Sequence, residues 1–259
     1  VPSRLWGERS GKPMLGGLVK PPREPSALGI LLYSGLLGVL TARDATPLGI
    51  AMALLALGLH ILTFDAGFDA AKTRNTRLLS AILALNAAPY LVVLTAYRDT
   101  ELAAAVAVYV PVMLLYLSLA LRGLLRTPLG YIAGAALLTY TAVLTAALAG
   151  RITRETLLAF LLMMLYTAST AAYIESRLPF RKTSPATGLA IWLPALAAAA
   201  AEPVLTVALI EPTLKHVANM ARNTKVKPAE IKKLGLQEMI RLTLFAALLA
   251  ALLRLTASS

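Results

Sequence analysis

The sequence predicts an all-α, polytopic membrane helix bundle, and three observations carry that prediction. Of its 259 residues, 58% are hydrophobic and only 15% are charged, against about 25% charged in an average soluble domain. The mean hydropathy is +0.71. Apolar runs of roughly 20 residues, long enough to cross a hydrocarbon core, recur along nearly the whole chain. Residues 1–25, VPSRLWGERSGKPMLGGLVKPPREP, form a basic segment without the apolar stretch of a signal peptide. Residues 26–259 read as a single transmembrane helical domain with short connections.

Charged breaks divide the apolar stretches into helices at 26–41, 47–64, 78–97, 101–120, 128–149, 155–174 and 237–256. The region 183–222 holds either one long helix or a hairpin turning at Glu202-Pro203, giving eight spans or nine. Charge bias favours nine, with the N-terminus cytoplasmic in a plasma membrane, because 20 of the 25 Lys and Arg then lie inside. The outside keeps Arg43, Arg98, Arg151, Arg154 and Arg254. The +12 net charge is therefore topogenic, and no nucleic-acid partner is expected. Nine spans place Glu211-Pro212 inside the eighth, where a carboxylate must face protein or a wet cavity, with Lys215 four residues on as a candidate partner.

Small residues predict the helix contacts: Gly35 and Gly38 in SGLLGVL, Gly130 and Gly134 in GYIAGAA, and the alanine-rich stretches. Trp6, Tyr90, Tyr97, Tyr109, Tyr131 and Trp192 read as interfacial anchors. The absence of cysteine excludes disulfides and thiolate chemistry. A single glutamine and four asparagines fit a thermophile.

FDAGFDAAKTRNTRLL places Asp65 and Asp69 at the cytoplasmic end of the second helix, on one face if the helix continues through them. Carboxylates are disfavoured at a helix C-terminus, so a cation should compensate them. Lys72, Arg74 and Arg77 offer a local salt-bridged edge. The alternative is Mg²⁺, which takes one or two carboxylates together with substrate phosphate oxygens, making a diphosphate a better leaving group.

DAGFDAAKTRNTRLL resembles the first aspartate-rich loop of the UbiA-type intramembrane prenyltransferases, N-D-x-x-D-x-x-x-D followed by a basic segment. The resemblance implies a UbiA-like fold of nine helices with a cytoplasm-facing cavity. It gives Asp65 and Asp69 a catalytic Mg-diphosphate role, with Lys72, Arg74 and Arg77 near the phosphates. Ile61-Leu62 stands where that family has N-D, and YIESRLPFRKTS after the sixth helix carries Glu175 as its only carboxylate, so one half of a two-sided clamp is retained. KPPREPSALGILLYSGLLGVL (20–40) and KKLGLQEMIRLTLFAALL (232–249) resemble the opening and closing segments of the YwiC-like membrane proteins, with Pro25 in place of a histidine. The implied function is binding of an isoprenoid or quinone-like lipid, with Mg-dependent prenyl transfer as its chemistry.

Other residues carry alternatives. Asn86, beside a Pro89 kink, either makes an interhelical hydrogen bond or reaches substrate. His60 and His216 are the only histidines, and a pair of this kind can hold haem b; the plainer role is a hydrogen bond to a neighbouring carbonyl or carboxylate. The basic loop 215–233 meets either anionic lipid or a partner subunit. A non-catalytic anchor subunit of a respiratory-type membrane complex is thus a second expectation. A small-molecule transporter using Glu211 as its coupling, substrate-binding carboxylate is a third.

Overall fold

The computed structural model describes residues 18–257 and, among these, is helical throughout, without strands. Eleven α-helices follow one another: α1 Pro25–Thr41, α2 Pro47–Lys72, α3 Thr76–Tyr97, α4 Thr100–Leu121, α5 Pro128–Thr139, α6 Thr141–Ala149, α7 Arg154–Arg177, α8 Pro185–Trp192, α9 Ala195–Ala201, α10 Thr206–Arg222 and α11 Ile231–Ala257. Since α5 runs into α6 and α8 into α9, the described chain traces nine legs. Six of them are long and apolar enough to cross a membrane: α2, α3, α4, α5–α6, α7 and α11.

Local chemistry sets the helix ends. Proline opens α1, α2, α5 and α8, a position where its missing N–H costs nothing and its fixed φ suits the first turn. Asn75, Asp99, Thr127 and Thr153 cap α3, α4, α5 and α7 by accepting from backbone N–H groups three residues on, which satisfies donors the helix cannot. The region 183–222 is a hairpin: α8–α9 stops at Glu202, and a 3₁₀ turn over Pro203–Leu205 feeds α10.

Two ends of the bundle are recognisable. At one end the α1–α2 and α6–α7 connections pair through Arg43 and Arg151, whose backbones exchange hydrogen bonds of 3.1 and 2.8 Å. Glu101 accepts there from Ile152 N at 3.1 Å, and Arg154 pairs with Glu202. The opposite end gathers the α2–α3, α4–α5, α7–α8 and α10–α11 connections and holds most of the lysines.

The centre of the bundle is α5–α6 and α7. Of the most apolar stretch of α5–α6, 78% is buried, against 17% of that of α4. Helix α1 lies on this centre because Gly38 lets it approach α6: a Cβ there would come inside 3.0 Å of the Ala142 carbonyl. Gly35 makes way for Leu57 of α2, and Thr145 Oγ1 of α6 donates to the Gly35 carbonyl at 2.8 Å. Gly134 faces Tyr116 of α4, whereas Gly130 packs on the Leu124 and Leu125 carbonyls of its own preceding loop instead of another helix.

Two apolar cores flank the centre. One joins α1, α7, α8, α10 and α11 around Tyr166, Trp192 and Phe245, with the Tyr166 and Phe245 rings stacked at 4.3 Å. The other joins α2, α3, α4 and α6 around Tyr90, Leu102, Tyr140 and Leu144. Trp192 is fully buried, and Tyr90 and Tyr131 nearly so, so these three are core aromatics and not the interfacial anchors expected. Each rests in protein because its polar atom finds a partner or its ring a neighbour, as in Tyr131 OH to the Arg126 carbonyl at 3.1 Å. Tyr97 is exposed at a helix end. Trp6 lies outside the described residues.

Candidate functional site

Helix α2 continues through Asp65 and Asp69, as far as Lys72, so the two aspartates occupy one face near its lysine-rich end. Their cations come from far along the chain. Lys20 Nζ and Arg23 Nη2 both reach Asp69 Oδ2 at 2.8 Å, and Arg23 Nε lies 3.3 Å from Asp65 Oδ2. Arg23 N also donates to Asp65 Oδ2 at 3.0 Å. Backbone bonds tie the same segment to α2: Lys20 N to the Leu62 carbonyl at 2.6 Å, and Asp65 N to the Lys20 carbonyl at 3.0 Å. Residues 18–24 thus cross the end of α2 as a strap.

Arg74 and Arg77 are exposed and make no side-chain hydrogen bond or ion pair among the described residues. The side chain of Lys72 lies outside what is described. The polar contacts of the aspartates all fall on Oδ2 of each. No group of three or more His, Asp or Glu side chains stands together among the described residues. Two carboxylates with their Oδ1 atoms uncommitted are nonetheless a donor set that Mg²⁺ accepts when phosphate oxygens complete it.

A polar and aromatic column runs from the strap toward the middle of the bundle. Phe64 and Phe68 of α2 contact at 5.1 Å, and Phe68 meets Tyr116 of α4 edge-on at 5.8 Å. Deeper, Asn86 of α3 donates to Thr63 Oγ1 of α2 at 2.8 Å and to the Ile82 carbonyl at 2.9 Å. Its Oδ1 is buried and has no partner. His60 stacks on Tyr90 at 5.9 Å, with Nε2 3.5 Å from the phenol oxygen. Tyr109, Tyr140 and Phe160 continue the column, at 5.8 and 5.3 Å between successive rings.

His216 is elsewhere. Its ring sits between Tyr173 of α7 and Trp192 of α8, at 6.1 and 6.2 Å, and neither ring nitrogen has a hydrogen-bond partner. The two histidines thus have different neighbours, Tyr90 for His60 and Tyr173 and Trp192 for His216.

A cluster of charge on α10 and α11 is the second polar feature. Lys215 does not turn to Glu211. Its Nζ donates to Glu238 Oε2 of α11 at 3.0 Å and to Thr170 Oγ1 of α7 at 2.9 Å, with its side chain 2% exposed. The rings of Tyr166 and Tyr173 lie 4.7 and 5.2 Å from the ammonium. Arg241 bridges both carboxylates, Nη1 to Glu238 Oε1 at 2.5 Å and Nε to Glu211 Oε1 at 3.1 Å. Glu211 itself is half-exposed. A lone carboxylate and a lone lysine inside apolar helices must find partners, but sequence spacing points Lys215 to the nearer one.

Helix α10 shows why such charge is tolerated. Val207, Ile210, Leu214, Val217 and Met220 form one exposed stripe, while Lys215, His216 and Asn219 face inward. The exposed side of α10 is thus mostly apolar, interrupted by Glu211, and its inward side is polar.

Comparison with protein-family models, with curated protein sequences and with solved structures returns no match.

Proposed function

We propose that the protein is a UbiA-like membrane protein of nine spans that holds an isoprenoid or quinone-like lipid in a site facing the cytoplasm. The observation that carries this reading is the column from the strap to Tyr109 and Tyr140. A flat or unsaturated tail is well served by ring faces and edges, and a charged head by the cations and carboxylates at the end of α2. The nine legs, the hairpin at Glu202-Pro203 and the mostly apolar exposed side of α10 support the span count. Arg43, Arg151, Arg154 and Arg254, expected outside, line one recess at the lysine-poor end, which supports a cytoplasmic N-terminus.

For prenyl transfer, Asp65 and Asp69 would hold Mg²⁺, which neutralises a diphosphate leaving group when bound. Lys20 and Arg23 then exchange aspartate oxygens for phosphate oxygens. The strap is in this reading a cover whose cations serve either partner.

One observation favours the non-catalytic anchor: Lys20 and Arg23 neutralise the aspartates from within the chain. Asp65→Asn and Asp69→Asn separate the readings. The cations of these pairs are exposed and solvent screening keeps such pairs weak, so both variants should accumulate and unfold near wild type. On the lipid reading, gently extracted wild-type protein carries a polyprenyl diphosphate or quinone in native mass spectrometry. Retention of the diphosphate lipid with Mg²⁺ then falls at least tenfold in the variants. A fixed assembly with other subunits and no such lipid overturns it in favour of the anchor.

A further inference from the structure

A small recess of about 130 Å³ opens at the lysine-rich end between α7, α10 and α11, away from the aspartates. Tyr173 and Arg177 of α7, Lys215, Asn219 and Arg222 of α10, and Arg241 of α11 line it. We propose that this recess is a binding site for an oxyanion of the phosphate class, the phosphate of a lipid headgroup or a free phosphate.

Four cations converge here, and the carboxylates that face them do not use them up. Glu238 and Glu211 engage Lys215 and Arg241 from outside the lining. Arg222 has no ion pair or side-chain hydrogen bond among the described residues. Arg177 Nη1 donates to Thr224 at 2.8 Å, but its Nε is buried without an acceptor. Lys215 has three N–H donors, of which Thr170 and Glu238 take two. Lys215, Arg177 and Arg222, which all line the recess, therefore keep unspent donors.

Asn219 adds a second kind of signal. It is buried, its amide nitrogen donates to Ser176 Oγ at 3.0 Å, and its Oδ1 has no partner. Buried acceptors are almost always satisfied. An acceptor beside unspent donors fits a headgroup that carries a hydroxyl or protonated oxygen next to its negative charge. Guanidinium groups match phosphate oxygens in geometry as well as charge, and basic pockets between spanning helices are suited to such headgroups.

Two sets of contacts fix the walls. Val226 N bonds the Arg177 carbonyl at 2.9 Å, and Lys225 Nζ bonds the Ser176 and Arg181 carbonyls at 2.6 and 3.0 Å, so the loop after α10 is tied to the end of α7. Packing of Tyr173 and Tyr166 against Lys215 holds the ammonium in place.

The test uses the full chain in a neutral detergent, titrated with inorganic phosphate at constant ionic strength. In parallel, nanodiscs of phosphatidylcholine are compared with and without phosphatidic acid, reading the thermal midpoint and, by native mass spectrometry, the retained lipid. Phosphate raising the midpoint identifies a free anion as sufficient; phosphatidic acid alone doing so identifies the lipid headgroup. Either supports the site. Arg177→Gln and Arg222→Gln should each weaken the binding about tenfold to a hundredfold, the range for a lost charged hydrogen bond. Arg98→Gln, at the other end of the bundle, should bind as wild type. The proposal is overturned if neither probe binds, if both recess variants bind as wild type, or if Arg98→Gln weakens binding equally.

Discussion

Gly38→Ala should sharply lower the thermal midpoint of the detergent-solubilised protein, whereas Gly58→Ala, the same change one helix on, should raise it slightly or leave it unchanged. Both glycines are inside helices, and there alanine is favoured over glycine by roughly 0.5–1 kcal/mol. At Gly58 a new Cβ meets nothing within 4 Å, so only that gain remains. At Gly38 it falls inside 3.0 Å of the Ala142 carbonyl and of Thr145 Oγ1. A backbone carbonyl cannot rotate away, so α1 must back off from α6. Overpacking typically costs about 1–3 kcal/mol. The loss is compounded here because retreat also stretches the 2.8 Å hydrogen bond from Thr145 to the Gly35 carbonyl. Gly38→Leu should prevent folded protein from accumulating. A Gly38→Ala midpoint at or above wild type would refute close packing of α1 on α6.

That contact was legible in the sequence as a pair of small residues, and so were most helix ends. Proline at Pro25, Pro47, Pro128 and Pro185, and caps at Asn75, Asp99 and Thr153, are local chemistry that no distant contact overrides. Two boundaries escaped. The apolar pattern of the second helix ends at 64, but the helix runs to Lys72, because Lys20 and Arg23 offset carboxylates that would otherwise oppose its C-terminal dipole. The last helix begins at Ile231 instead of 237, capped off by the 3₁₀ turn over Pro228–Glu230.

Side-chain partners were legible only where they are near in sequence or forced by polarity. Asn86 makes the interhelical hydrogen bond its lone polar position called for, to Thr63. Sequence spacing points Asp65 and Asp69 to Lys72, Arg74 and Arg77, yet their cations arrive from residues more than 40 positions earlier, in a segment that reads only as topogenic charge. Lys215 likewise passes over Glu211, one turn away, for Glu238. Glu211 lies on the exposed side of α10, whereas the pair with Glu238 closes inside the bundle with Thr170 and two aromatic rings. Trp192 reads as an interfacial anchor, yet its indole N–H donates to Thr213 Oγ1 at 2.9 Å and needs no interface.

Glu238→Leu should destabilise the protein by about 3–5 kcal/mol, the usual effect of removing one partner of a buried ion pair. Lys215 is left with a charge enclosed by Tyr166, Tyr173 and Thr170, and Glu211 cannot replace the lost carboxylate while it is held by Arg241. Arg241 loses its 2.5 Å contact to Glu238 but keeps that to Glu211, and it is partly exposed, so its share of the loss is the smaller one. The double variant Lys215→Met/Glu238→Leu should recover most of the stability, because apolar residues of similar volume replace a buried pair at little or no net cost. Unfolding midpoints of the wild type, both single variants and the double variant form a cycle whose coupling is large and favourable if the pair is formed. A Glu238→Leu protein as stable as wild type would show that Lys215 is not held there as a buried charge. A double variant no better than the single one would place the cost in packing around Glu238 instead. The recovered double variant has a further use: it keeps the fold but removes Lys215 from the recess between α7, α10 and α11. Phosphate or phosphatidic acid binding should therefore weaken in it while its stability stands, which separates the charge that recognises the anion from the charge that holds the helices.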